Sequence, residues 1–260
     1  MATYLDRILA RHREQAALDG RPIDELIHEA RSLPPTRGFA RVLRQGSELH
    51  VISEIKRRSP SKGDLNIGLD PAELAATYER GGASCLSVLT DVEYFGGSVA
   101  DLQAARAACT LPVLRKDFTV SLRDVCDARL MGADCVLLIA AALDRDELVE
   151  MHALATSIGL DVLVEIHDEV ELEAALAADA TLVGVNQRDL VTFQVDHERA
   201  LRMAGVIPDS AIKVAESGVR GRDDAAALHA AGYHAVLVGE TLVTSNDPAD
   251  SVRLLRGAVR

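Results

Sequence analysis

The sequence predicts a (β/α)8 barrel, on three observations. From residue 50 onward, short runs rich in Val, Ile and Leu recur, their starts about 21 to 35 residues apart, the length of a strand plus a returning helix. Runs such as VLLIAA and AVLVGE are almost continuously apolar, which suits parallel strands buried on both faces. The stretches between them place apolar residues at helical spacing. A doubly wound open sheet shares much of this pattern, but its GxGxxG after the first strand is missing.

Residues 1–49 precede the first strand and carry two helical patterns, Tyr4–Leu18 and Ile23–Ser32, ended by Pro34–Pro35 and Gly38. They read as an N-terminal helical extension packed on the barrel of residues 50–260. The expected strands are His50–Lys56, Cys85–Thr90, Pro112–Phe118, Cys135–Ala141, Asp161–His167, Leu182–Arg188, Ile212–Gly218 and Ala235–Glu240. DPAELAATYERGGA and LDRDELVEMHALATSIG are typical of the helices between them. Asp70–Pro71 is a cap and first-turn pair, and Gly81, Gly132, Gly159 and Gly232 are expected helix stops.

A net charge of −12 over 260 residues argues against a nucleic-acid or anionic-membrane surface, though not against a small anion in a local pocket. No apolar run reaches the roughly 18 residues of a membrane span. The N-terminal MATYLDRILARHREQ lacks a signal core and cleavage site, so a cytoplasmic location is expected. Cys85, Cys109, Cys126 and Cys135 show no CxxC spacing and lie in apolar contexts, as buried reduced thiols do. Lysine is scarce. Only Lys56, Lys62, Lys116 and Lys213 occur against 24 arginines, so each is a candidate for a role that a permanently charged guanidinium cannot fill.

In this architecture the chemistry belongs at the C-terminal strand ends. Glu54 and Lys56, two apart, share one side of the first strand. They are tolerable inside a barrel as a pair, whether or not the pair has chemical work. Ser59 opens the loop that follows, in which Lys62 reads as a solvated residue. On the third strand Lys116 and Phe118 share one face, an ammonium beside an apolar plate. Arg115 and Asp117 share the other. Glu165 stands among Leu163, Val164 and Ile166, where burial raises a carboxyl towards a useful range. His167 shares its face, but no further His or Cys completes a metal site. Asn186 and Arg188 share a face of the sixth strand, and arginine grips a carboxylate through two parallel hydrogen bonds. The last strands end in AESG and VGE, where glycines let backbone N–H groups approach a phosphate. Alternation puts Lys213, Ala215 and Ser217 on one face and Glu216 on the other, so a local bend must place either Ser217 or Glu216. Lys213, near the start of its strand, reads as structural.

SEIKRRSPSKG, GGASCLSVLTD, YFGGS, LPVLRKDF, GADCVLLIAA, VEIHDE, GVNQRDL, ESGV and LVGE, in that order over about residues 50 to 243, resemble indole-3-glycerol-phosphate synthase. The N-terminal helices resemble that enzyme's extension. The resemblance implies conversion of 1-(2-carboxyphenylamino)-1-deoxyribulose 5-phosphate to indole-3-glycerol phosphate, carbon dioxide and water, in tryptophan biosynthesis. It implies catalytic roles for Glu54, Lys56, Lys116, Glu165, Asn186 and Ser217, which Glu216 adjoins. Ser59 and Arg188 match groups that hold the substrate carboxylate. Phe95, Phe118 and Leu190 match the ring pocket, and Gly218, Gly239 and Glu240 the phosphate site. The implied partner is a small anionic substrate carrying carboxylate and phosphate, bound by a monomer with no cofactor or metal.

Three departures from the family pattern stand out. Glu240 takes a position often held by serine, Gln187 replaces an asparagine of VNNRDL, and Arg123–Asp124 replaces a Tyr–Gln pair. The resemblance makes Lys116 the acid for ring closure, with Lys56 and Glu165 sharing the later proton transfers in an order left open. A sugar-phosphate isomerase, a Schiff-base aldolase using Lys116, and a non-catalytic phosphate-binding subunit are the rival readings.

Overall fold

The computed structural model describes residues 3–189 and 191–257. The eight strands are β1 (His50–Ile55), β2 (Cys85–Leu89), β3 (Val113–Lys116), β4 (Cys135–Ile139), β5 (Asp161–Ile166), β6 (Leu182–Asn186), β7 (Ile212–Glu216) and β8 (Ala235–Val238). They close in the order β1-β8-β7-β6-β5-β4-β3-β2, every neighbouring pair parallel. The predicted (β/α)8 barrel is the observed fold. A small antiparallel ribbon, Arg58–Ser59 with Gly63–Asp64, follows β1.

Every strand stops one or two residues before its expected end. Beyond that point side chains take over the backbone. Asp117 Oδ1 accepts from Phe118 N at 2.9 Å, Glu171 Oε2 from His167 N at 2.7 Å, and Asn186 Oδ1 from Arg188 N at 3.0 Å. Such local bonds compete with the ladder and end it. Of the residues assigned to chemistry, Glu54, Lys116, Glu165 and Asn186 thus stay on the sheet near its ends, and Lys56 and Ser217 lie just beyond it.

Two apolar layers hold the barrel. The inner one contains Ile52, Leu114, Leu137, Leu163, Val214 and Leu237, on the inward faces of their strands. The outer, larger one joins strands to helices through residues such as Val51, Tyr78, Val136 and Val183. Alternation along each strand sends its residues to the two layers in turn.

The extension forms α1 (Tyr4–Leu18) and α2 (Ile23–Ser32), as the helical patterns predict, and then α3 (Phe39–Leu43), which they do not. Phe39 and Leu43 of α3 are fully buried and join the inner layer at the strand starts, closing the bottom of the barrel. Asp161 Oδ2 holds α3 by accepting from Ala40 N at 2.9 Å. Arg13 pairs with Glu147 at 2.7 Å, and α2 packs along the helix Leu122–Leu130. His12 lies 3.1 Å from Asp91 and 4.0 Å from Asp117, while Arg115 and Thr90 also bind Asp117. That cluster ties α1 to the loops after β2 and β3.

The helix stop at Gly81 needs correction. Gly81 is the last helical residue, and Gly82, at φ 88°, makes the left-handed turn. A Cβ on Gly81 would stand 2.7 Å from the Ala249 carbonyl oxygen, so glycine there lets the helix Pro248–Leu255 pass closely. All four cysteines are buried and unpaired. Among the described residues no helix is long and apolar enough to cross a membrane.

Candidate active site

A cavity of about 490 Å³ opens at the C-terminal ends of the strands. Glu54, Lys56, Ser59, Phe95, Lys116, Phe118, Glu165, Asn186, Arg188, Glu216, Ser217, Gly218, Gly239 and Glu240 all line it. Leu190 lies outside the described residues.

At its floor Lys116 Nζ donates to Glu165 Oε2 at 2.7 Å and to Glu216 Oε2 at 3.1 Å. Burial works against the lysine's charge, yet Glu165, Glu216 and Glu54 outweigh it and hold the ammonium pKa above its ordinary value. Asn186 Nδ2 donates to the other oxygen of Glu165 at 2.9 Å. Burial alone would raise Glu165, but Lys116, His167 and Asn186 overcome it, and the carboxyl lies below its usual range. Glu216 goes the other way. Burial raises it against the pull of Lys116, and Glu165 and Glu54 add to the rise. The two neighbouring carboxyls are thus shifted in opposite directions, Glu165 down and Glu216 up. Glu54 pairs with Lys56 at 2.5 Å beside them.

The bend left open on the seventh strand falls at Ser217, whose φ of 64° is left-handed and followed by Gly218 at 73°. Glu216 therefore points inward to Lys116, and the turn carries Ser217 to the mouth. Gln187 Nε2 donates to the Ser217 carbonyl at 2.8 Å, so the departure at 187 supports this turn. Lys213 faces outward and donates to the Ala204 carbonyl at 2.8 Å. His167 Nδ1 donates to Glu171 Oε2 at 3.0 Å, and Glu171 together with Glu165 outweighs burial and raises the imidazole.

Lys62 is half-exposed but not free. Its Nζ lies 3.3 Å from Glu240 Oε1, and Arg188 lies 4.0 Å from the other oxygen of Glu240. The solvated loop residue thus stands at the mouth. Tyr4, Leu5 and Ile8 of α1 also line the cavity, as do Leu137, Ile139 and Phe193. Tyr4 meets Tyr94 and Phe193 edge-on, with ring centroids 5.7 and 5.5 Å away. Sequence reasoning missed this wall. Apolar residues on an amphipathic helix look alike whether they cover a ligand or a core, and the early apolar pair Tyr4–Leu5 was the available hint.

The raised carboxyl of Glu216 makes a testable contribution to stability. As pH rises past the ordinary glutamate range, the unfolded chain loses this proton while the native state keeps it. Stability therefore falls until the raised native value is passed, and is level beyond it. Glu216→Gln is expected to flatten that decline, as read by denaturant midpoints between pH 4 and 8, on the order of the window set by the shift. An unaltered slope would remove Glu216 as its source.

A family model described as indole-3-glycerol phosphate synthase matches residues 5–255. Among solved structures, the chain is similar to a thiamine phosphate pyrophosphorylase from Pyrococcus furiosus. Identity is 15% and the TM-score 0.60, over 81% of this chain and 95% of that one. It is also similar to a 3-hexulose-6-phosphate synthase, at 17% identity and a TM-score of 0.61, over 82% of this chain and all of the other. At those identities the two structures speak for the barrel alone.

Proposed function

The chain belongs to the indole-3-glycerol phosphate synthase family, and from that premise we propose how its residues divide the reaction. The activity is that of a carboxy-lyase of tryptophan biosynthesis. It closes the pyrrole ring of 1-(2-carboxyphenylamino)-1-deoxyribulose 5-phosphate with loss of carbon dioxide and water. The substrate is a phosphorylated anion.

Lys116, held between Glu165 and Glu216 in the cavity that Phe118 also lines, is the observation that carries the assignment. Its ammonium stays charged, so it meets the ketone oxygen as an acid while the ring carbon bearing the carboxylate attacks the carbonyl. The C–C bond to the carboxylate then breaks and its electron pair restores the aromatic ring. The remaining hydroxyl leaves with a proton, and a C–H proton is lost to a base. Glu165 lies below its usual range and is ready as a carboxylate, which supports it as that base. Lys56, paired with Glu54, then helps the hydroxyl leave. Asn186 orients Glu165, and Ser217 faces the same space from its turn.

Arg188 and Ser59 take the substrate carboxylate, and Phe95 and Phe118, 6.2 Å apart, take the ring. The backbone at Gly218 and Gly239 takes the phosphate. Holding both ends brings the ring carbon to the ketone. We assign no metal, nicotinamide or flavin to these steps.

Residues 1–49 and 50–260 work as one catalytic unit, since α1 supplies part of the cavity wall. The proposed state is a cytoplasmic monomer. Four buried unpaired thiols suit a reducing compartment, and exposed apolar residues such as Leu18, Val92 and Val170 lie on separate helices. Light scattering checks the mass in solution.

The deciding experiment supplies the carboxyphenylamino ribulose phosphate and follows indole absorbance and fluorescence. Product formation is expected. No product at any substrate concentration overturns the reading.

Glu240 occupies Lys62 and faces Arg188, so an arriving anion competes with it. Glu240→Gln is expected to bind inorganic phosphate roughly two- to five-fold more tightly, the scale of a partly exposed ion pair. Titration against heat unfolding reads this. Equal or weaker binding would show that Glu240 does not compete.

A further inference from the structure

Gly184 sits in the middle of β6 between Val183 and Val185, where glycine weakens a strand and leaves nothing to pack. Its φ is not left-handed, so the backbone gives no reason for glycine. Space gives one. Gly184 shares the inward face with Leu182 and Asn186, two residues away on either side. A Cβ built there overlaps Glu216 Oε1 and stands 3.2 Å from both Glu216 Cδ and Leu163 Cδ1.

Glu216 is 2% exposed. Its Oε2 accepts from Lys116, while its buried Oε1 has no hydrogen-bond partner among the described residues. One oxygen is therefore held by charge and the other by shape alone. We propose that Gly184 is a positioning residue, whose missing side chain is the recess that holds the Glu216 carboxyl beside Lys116. The proposal rests on the roles given above to Lys116 and its carboxyl neighbours.

A methyl in the recess leaves Glu216 two ways to turn. It can swing towards Glu165, crowding a second buried carboxyl, or out into the space the substrate needs. Both disturb the ammonium that protonates the ketone. The obstructing atom is the mobile end of a side chain rather than backbone, so the barrel stays closed and the damage falls on chemistry.

Gly184→Ala is expected to lower kcat by about 10- to 100-fold, the scale of a small misplacement at a reacting centre, with KM changed only a few-fold. Glu216→Asp draws the carboxyl back by one methylene. The double variant Gly184→Ala/Glu216→Asp is expected to turn over at least several-fold faster than the product of the two single losses predicts. Wild-type kcat in Gly184→Ala, or a double loss equal to that product, overturns the proposal.

A second cycle needs no substrate. Gly184→Ala is expected to lower the melting temperature when Glu216 is present, and to leave it unchanged or raise it in the Glu216→Ala background. The same cycle covers a Gly184→Ala protein that does not fold, because Gly184→Ala/Glu216→Ala should then fold again. An equal cost in both backgrounds, or failure of both to fold, places the clash elsewhere and overturns the proposal. If wild-type protein makes no indole product, the functional assignment fails while this cycle still decides the recess.

Discussion

Lys116→Ala is expected to lower turnover by about 10²-fold or more, measured as the steady-state rise in indole fluorescence. Among the described residues the ammonium is the one cation bonded to both Glu165 and Glu216. Its removal takes away the acid for ring closure and the charge that keeps Glu165 ionised. Glu165 then climbs towards the value burial favours, so the base for the last proton is weakened as well. Two buried carboxyls facing each other without a cation also destabilise the barrel. The variant should therefore melt earlier than wild type, and the shortfall should shrink as pH falls and both carboxyls take up protons. Near-normal turnover would remove Lys116 from its assigned role.

Asp134→Ala should have the largest effect on stability, about 3–5 kcal/mol, because it breaks a buried charged network from one side. Asp134 is fully buried. One carboxylate oxygen accepts from Arg37 N at 2.8 Å and from Arg106 at 3.0 Å, and the other from Val113 N at 2.9 Å. It thus joins the end of the extension, the helix Val99–Ala108 and the start of β3. Alanine leaves two backbone N–H groups and a guanidinium without their acceptor. For a chain of this size the melting temperature should drop by roughly 10 °C, while kcat at 25 °C or below stays within a few-fold. The site lies at the opposite end of the strands from the cavity. A loss below about 1 kcal/mol would show that the network relaxes.

The barrel was legible because eight buried parallel strands repeat one signal, and the errors at their ends share one cause. Apolar alternation runs on past Ile55, Lys116 or Glu216, but hydrogen bonding passes there from the ladder to Asp117, Glu171, Asn186 and Gln187. Periodicity does not register that exchange. Lysine scarcity drew attention to Lys56 and Lys116, and strand position distinguished them from Lys213. Lys62 is the solvated loop residue expected, but its place at the mouth was not legible, because its partner Glu240 is far away in sequence and faces it only when β8 closes beside β1. The helix α3 was missed for its length, five residues behind two prolines. Gly184 opens the GVNQRDL segment, but nothing in that segment gives the glycine a role of its own. Its meaning lies in an atom that is absent, and only the neighbouring Glu216 shows what the absence admits.

Phe39 and Leu43 seal the chamber beneath the strands, and among the described residues the cavity opens at the other end, past Tyr4, Lys62 and Glu240. Substrate comes in and three products go out by the same passage. Traffic in the two directions shares one set of gateposts, so a change there that speeds arrival also alters departure. The rim is therefore part of the site as much as its floor.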